Sequence, residues 1–428
     1  MNLVVIGGGA SGMMCAISAA QAGAHVTVIE KNEKLGKKLY ITGKGRCNLT
    51  NCTDFDDYMN NIVNNRKFMI SSLREFDCRK CMTFFEESGL VLKTERGNRV
   101  FPTSDKSSDV IKTLTTQMKR SSVDVHLQEK ATDITFANGF IAEVITDKAT
   151  YPCDAVAICT GGKSYPLTGS TGDGYGLAQK AGHTVVSPKP SLCGLIVNEI
   201  FDSKFTRKPL RFMPKLQGLS LKNVTASVLS KNDRKVVFEE FGEMLFTDHG
   251  VSGPIILTLS SRLSRMDVST MLLSIDLKPA LEEKQLDERI LRDFSIQQNK
   301  QLNHALDDLL PQSMIPFIIK LSGIPQEKKV NSVTKEERML LVRLIKNLIF
   351  PIVSSEGFDR AIITSGGVDV KEINPQNMQS KIIPNLFFAG EILDVDALTG
   401  GFNLQIAFST GYILGKKIMN TNTDRRKT

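Results

Sequence analysis

Residues 1–31 read MNLVVIGGGASGMMCAISAAQAGAHVTVIEK. Leu3 to Ile6 is an apolar run the size of a buried strand, and it leads directly into Gly7-x-Gly9-x-x-Gly12. Met13 to Ala22 is Ala-rich and free of Pro, a helical pattern that Gly23 ends. His25 to Ile29 is a second strand and stops on Glu30. Strand, glycine turn, helix, strand and acid in that order are a dinucleotide-binding fingerprint rather than a bare glycine turn. Gly7 permits the tight turn, Gly9 lets the backbone approach a pyrophosphate, and Gly12 lets helix and strand pack closely. The helix N-terminus adds free N–H groups and partial positive charge. Glu30 is placed to accept both hydroxyl hydrogens of an adenosine ribose. An acid there disfavours a 2′-phosphate, so FAD or NAD fits better than NADP.

The rest of the composition bounds the class. A chain of 428 residues with 41% hydrophobic and 23% charged residues has the length and balance of a two- or three-domain globular protein. It contains no run of 18 apolar residues, so no membrane span is expected. The N-terminus enters a strand without a basic leader, which argues against a signal peptide and for the cytoplasm. Eight scattered cysteines are then expected to be reduced. Cys78-x-x-Cys81 is the one CxxC; it lacks a second pair for zinc, and no metal site is expected. The net charge of +8 permits a polyanionic partner without demanding one, and the end of the chain, Asp424 to Thr428, reads as a frayed tail.

Downstream of Glu30, Lys31 to Asn51 reads as a long loop rich in Gly, Lys and Asn. Lys37, Lys38, Lys44 and Arg46 offer cations to phosphates, and Asn48 offers an amide to a heterocycle. Helices are expected over 68–76, 79–88 and 107–120, with hairpins turning at 96–98 and at Asn138-Gly139. Ala155 to Cys159 is another buried strand, ending in Thr160-Gly161-Gly162, and the glycines 172, 174 and 176 open a helix. From Leu192 to about Asp276 strands dominate, with GEMLFTDHGVSGP (242–254) reading as a glycine-rich interruption. From Leu281 to about Ile349 the pattern is helical; strands return at 361–365 and 386–389, and a last helix follows Gly400-Gly401. The expected fold class is α/β, with a split Rossmann-like domain (1–188 and 351–428) that holds an inserted β-rich, barrel-like domain (189–278) and a helical subdomain (279–350).

Several stretches together resemble the YhiN/BaiN-type flavoprotein family: the opening fingerprint, ITGKGRCNLTN (41–51), TGGKSYPLTGSTGDGYGLAQKAGH (160–183), GEMLFTDHGVSGP, ITSGGVDVKEI (363–373) and FFAGEILDVDALTGGFNLQIAFSTG (387–411). The likeness extends more loosely to flavoprotein subunits of fumarate reductase and to aspartate oxidase. It implies non-covalent FAD, with Gly7, Gly9, Ala10, Ser11 and Gly12 at the pyrophosphate, Glu30 at the ribose, and Lys31 and Ala131 by the adenine. Arg46, Cys47 and Asn48 would lie by the ribityl chain and flavin, Gly390 and Glu391 would place the ribityl phosphate arm, and Lys38, Gly45, Thr160, Gly161, Gly162 and Asp173 would also bind the cofactor. Gly401, Asn403, Leu404 and Gln405, at the last helix start, would meet the pyrimidine edge. Partial positive charge there would stabilise a reduced flavin.

A second GxGxxG behind a strand is missing, so NAD(P)H as electron donor would visit only transiently. The implied reaction is reduction of a C=C bond. Uridine in 23S ribosomal RNA, reduced to dihydrouridine, is the favoured substrate; a steroid-like enone, an organic acid, or a non-catalytic flavin-binding role are the alternatives. Lys204, Arg207, Lys208, Arg211 and Lys215, interleaved with Phe205 and Phe212, suit RNA contact. Candidate proton donors are Cys47, Tyr165, Asp248 and His249. Family members commonly carry Thr-His-x-Gly where this chain has Thr247-Asp248-His249-Gly250, which argues against a catalytic His249. The oligomeric state is not legible.

Overall fold

A computed structural model describes residues 1–198 and 213–420. The chain divides into two compact units, one running from Met1 to Ser191 and resuming at Phe358, the other from Leu192 to Gly357.

The first unit is built on a five-stranded parallel sheet. Its order is Leu386–Phe388, Ala155–Ile158, Asn2–Ile6, His25–Glu30 and Asp124–Leu127. The strand that opens the chain lies at its centre, with Val4 facing Val156 on one side and Thr27 on the other. Its apolar run is buried on both faces, as a parallel strand covered by helices requires. The first helix, Ala10–Gln21, packs along the last, Phe402–Lys417. Small residues make that approach close: a Cβ on Gly411 would fall 2.4 Å from the Ser11 carbonyl oxygen, and one on Gly415 would fall 2.5 Å from that of Cys15. Four residues along one helix match four along the other, so the two helices run parallel. Strands Val185–Ser191 and Ile363–Val368 pair antiparallel, so the chain leaves this unit and re-enters it side by side, the arrangement that tolerates an insertion.

The second unit is a closed six-stranded barrel, in the order Leu195–Val197, Gly250–Ser252, Val236–Phe246, Ser220–Ser230, Met271–Asp276 and Leu348–Ser355. Helices Glu283–Ile296, Ile315–Ser322 and Lys335–Lys346 share one core with it, in which Phe246, Phe317 and Phe350 are fully buried.

Two readings of the sequence are corrected. Residues 242–246 do not interrupt the β region but continue the strand Val236–Phe246; Gly242 is an irregularity within the ladder. The helical reading ran to Ile349, yet Leu348–Ser355 is a strand that pairs with Met271–Asp276 and Leu195–Val197 and closes the barrel. The apolar run Leu348-Ile349-Phe350 follows an amphipathic helix without a Gly boundary, so periodicity carries across the junction. No helix among the described residues is long and apolar enough to cross a membrane. Among the same residues no group of three or more His, Cys, Asp or Glu could hold a metal. Lys204, Arg207, Lys208 and Arg211 lie outside the described residues, as does the tail; Lys215 is exposed on the short helix Met213–Leu216.

Candidate functional site

Within the first unit, four strands deliver loops to one edge of the parallel sheet. In sheet order these are Gly390-Glu391, Thr160-Gly161-Gly162, the Gly7–Gly12 turn, and Glu30. Ligands of open α/β sheets bind at this carboxyl edge. A Cβ on Gly7, whose φ is 106°, would fall 2.7 Å from the Cys159 carbonyl oxygen, and one on Gly12 would fall 1.9 Å from the Gly7 carbonyl oxygen. Those two glycines are needed by the protein's own packing. Gly9 is different: a Cβ there meets no protein atom within 4 Å. It is the N-cap of the first helix and brings no side chain to the first-turn N–H groups. Open space in front of uncapped amides is what an anion requires.

Glu30 is buried. Its carboxylate accepts from Gly8 N at 2.7 Å, from Asn32 N at 2.8 Å and from Asn32 Nδ2 at 2.7 Å, so it also shapes the turn. Lys31 is paired with Asp173 at 2.5 Å. Burial raises the Asp173 carboxyl, but Lys31, Thr171 and Lys130 outweigh it and hold the group below the usual range. Further along, Lys38 Nζ donates to Glu391 Oε2 at 2.8 Å and to Ser164 Oγ at 2.6 Å. Glu391 Oε1 accepts from Ser164 Oγ and from Thr364 N, both at 2.8 Å. Thr364 Oγ1 accepts from the amides of Lys163 and Ser164, and it occupies the space a Cβ on Gly162 would need. Ser164 and Thr364 were missed by sequence reasoning, because lone hydroxyls carry no periodic signal.

The last helix opens a second mouth. Gly390, at φ 83°, is pressed against Ser11, so the end of strand Leu386–Phe388 meets the start of the first helix. Since Gly411 lies against Ser11, the start of the last helix stands nine residues, about 13 Å, beyond that level. Its N-cap, Gly401, has φ 102° and no side-chain cap, and its Cα is packed on the Thr50 backbone. Two parallel helices thus offer two uncapped N-termini at the same edge, one about 13 Å beyond the other. The Asn403 side chain does not face a ligand: it bonds to Ala397 N, Ala397 O and Leu398 O, and closes the loop that precedes the helix. The Gln405 amide nitrogen is bound inside, to Phe76 O and Ser409 Oγ, each at 2.9 Å. What this helix start presents is backbone N–H, with Leu404 partly buried beside it.

The loop 43–47 turns through four left-handed residues, Gly43, Lys44, Gly45 and Cys47. Arg46 pins it: the guanidinium bonds to Glu95 and Asp105 and stacks 4.1 Å over the Phe101 ring. Cys47 is fully buried, which pushes its thiol up to about 12 and makes it a poor proton donor near neutrality. Tyr165 adopts φ 52° beside Ser164. Ala131 is buried at the start of strand Ala131–Ala137. Asp248 and His249 belong to the other unit, on the turn between Val236–Phe246 and Gly250–Ser252, where His249 is exposed and lies 3.2 Å from Asp248.

The residues present fit a flavin dinucleotide. Asn48 Oδ1, Thr50 Oγ1 and Thr160 Oγ1 are buried without a hydrogen-bond partner. The Thr160 backbone adjoins Gly7 and the Thr50 backbone adjoins Gly401, so these two residues stand beside the two mouths, while the Thr160 hydroxyl itself lies against Gly174. Buried polar atoms of this kind are expected to find partners.

The HI0933-like protein Rossmann domain family matches residues 1–417. This chain belongs to that family. It is a flavin-dependent oxidoreductase. It is 31% identical to the 3-dehydro-bile acid Δ(4,6)-reductase of Clostridium scindens over 97% of this chain and 98% of that protein. It is 27% identical to the ribosomal RNA dihydrouridine synthase of Haemophilus influenzae over 96% of each. Among solved structures, the 3-ketosteroid-Δ4-(5α)-dehydrogenase of Rhodococcus jostii RHA1 aligns with a TM-score of 0.50 at 14% identity, over 97% of this chain and 95% of that one, a likeness of fold.

Proposed function

We propose that this family member holds FAD non-covalently along the sheet edge and reduces a C=C bond, with uridine in large-subunit ribosomal RNA as the substrate. The observation that carries the cofactor assignment is the pair of uncapped, parallel helix starts at one sheet edge, with open space at Gly9. In this reading the amides of Ala10, Ser11 and Gly12 take the pyrophosphate, and Glu30 turns to the ribose hydroxyls. Lys38 and Glu391 orient the ribityl arm, and the amides at Phe402 to Leu404 face the pyrimidine edge. When bound, the flavin supplies a hydride to an electron-poor carbon. The last helix start stabilises negative charge on the pyrimidine edge with fixed N–H dipoles that need no reorganisation. Arg46, locked by Glu95 and Asp105, keeps the loop 43–47 closed over the site and excludes water. NAD(P)H is the proposed donor, entering transiently.

Two of the relatives named above, the bile acid reductase and the dihydrouridine synthase, bear names that describe saturation of a conjugated C=C bond. The net charge of +8 and the cations at 204, 207, 208, 211 and 215 favour the polyanionic substrate. Mass spectrometry of ribosomal RNA from a strain lacking the protein tests this: loss of dihydrouridine from the large-subunit RNA, restored by the wild-type chain, is expected. Unchanged dihydrouridine together with turnover of a steroid enone by the purified protein would move the substrate to the small-molecule class.

A further inference from the structure

A hairpin beside the start of the last helix carries charge that the cofactor site does not use. Strands Leu92–Glu95 and Arg99–Pro102 pair with each other, and Arg99–Pro102 pairs on its other side with Thr50–Asn51, which sets Asn51 opposite Arg99. The buried Asn51 side chain joins the hairpin turn to the last helix: its Nδ2 donates to Gly97 O and to Gly400 O, each at 3.0 Å. The Cys52 amide donates to Asn98 O at 2.7 Å. The turn is thus fixed at the rim of the mouth proposed to hold the pyrimidine edge of the flavin. Ser107 N donates to Gly45 O at 2.8 Å, so Lys106 stands next to the loop 43–47. That loop and residues 93–106 together hold six cations and two acids. Both acids are taken: Arg46 bonds to Glu95 and to Asp105, and Lys93 lies 2.7 Å from Asp105 and 3.5 Å from Glu95. Lys44, Arg96, Arg99 and Lys106 are exposed and form no ion pair among the described residues. Arg99 Nε donates to Arg96 O at 3.1 Å, which leaves the two terminal nitrogens of the guanidinium for an anion.

We propose that Lys44, Arg96, Arg99 and Lys106 hold phosphates of single-stranded RNA on either side of the uridine that reaches the flavin, which rests on RNA being the substrate proposed above. A uracil laid on the flavin brings its flanking phosphates to the rim of that mouth, where uncompensated positive charge attracts them. Arg46 and Lys93 neutralise Glu95 and Asp105 from inside, so within these two segments the charge of the outer four cations is left for a ligand. Contacts of this kind go to the backbone and not to base edges, so they position the strand without choosing its sequence. The phosphates of NADPH share this chemistry and are the competing source.

The test uses the FAD-loaded full chain and fluorescein-labelled oligouridylate, with anisotropy titrations between about 50 and 200 mM KCl. On a single strand each phosphate contact adds about 0.7 to the slope of log affinity against log salt. Arg96→Ala combined with Arg99→Ala should therefore lower the slope by ~1.4 and weaken binding about 25-fold at 0.1 M salt. Arg96→Lys combined with Arg99→Lys keeps the charge and should keep the slope. The ratio of flavin to protein absorbance should match wild type in both, which shows that the variants fold and hold cofactor. Equal slopes for wild type and the alanine pair, or a wild-type chain without salt-dependent binding, would overturn the proposal. So would a raised KM for NADPH in the alanine pair with RNA binding unchanged, since the cations would then serve the dinucleotide. Dihydrouridine in the deletion strain carrying the wild-type chain decides the substrate separately: its restoration there leaves RNA as substrate even if this surface fails.

Discussion

Gly9→Ala separates what the opening turn does for the fold from what it does for a ligand. The backbone at Gly9 lies at φ −81°, which alanine adopts freely, and the added methyl would meet no protein atom within 4 Å. The cost to the unliganded protein is therefore the lost N-cap preference, about 1 kcal/mol or less. The same methyl stands in the space in front of the first-turn amides. Overpacking a filled site costs ~1–3 kcal/mol, which weakens FAD binding by about 5- to 140-fold. Gly12→Ala is the contrasting variant. Its methyl would come within 1.9 Å of the Gly7 carbonyl oxygen, so it should destabilise the unliganded protein as well, by ~1–3 kcal/mol. Flavin fluorescence titration of the apoprotein reads affinity, and urea unfolding of the same samples reads stability. Gly9→Ala with affinity within twofold of wild type would refute the reasoning, since the open space would then not be where the cofactor seats.

Gly411→Val tests the crossing of the first and last helices: the side chain would enter the Ser11 carbonyl, and a loss of roughly 2–3 kcal/mol in urea unfolding is expected, together with weaker FAD binding. His183 gives a pH dependence. Its ring is buried, with Nε2 2.7 Å from Ser380 Oγ and Nδ1 3.0 Å from Glu372, and burial lowers its pKa below the ordinary 6.5 despite Glu372. The unfolded chain takes up this proton first as pH falls, so stability should drop between pH 7 and 5 by up to ~1.4 kcal/mol per pH unit. His183→Gln should flatten that slope; an unchanged slope would show the ring is not its source. Arg46→Ala should free the loop 43–47 and raise the FAD dissociation constant several-fold, read by the same fluorescence titration.

Much of the first unit was legible because its signals are local. Leu3 to Ile6, the three glycines of the turn and Glu30 sit within one strand–helix–strand segment, and Gly7 and Gly12 are glycine for a steric reason. The helix Ser107–Arg120 was readable from its apolar stripe alone. The barrel was harder. Its closing strand Leu348–Ser355 contains Pro351, which reads as a breaker but here pairs with Leu272. Residues 242–246 look like a loop because Gly242 begins them, yet the ladder runs through. In the site, the family pattern pointed to Asn403 and Gln405, but a pattern does not say whether side chain or backbone does the work. Tertiary packing turned both side chains inward and left the amides. Thr50, Ser164 and Thr364 became visible only when distant segments were brought together.

In the proposed function, two helix starts at one sheet edge hold a single flavin dinucleotide without a covalent bond. The most direct measurement of this is the cofactor released by acid precipitation of the full chain after loading with FAD and gel filtration. One FAD per chain is expected in the supernatant, with no flavin in the pellet. Flavin retained in the pellet, or a gel-filtered chain that carries no FAD, would contradict it.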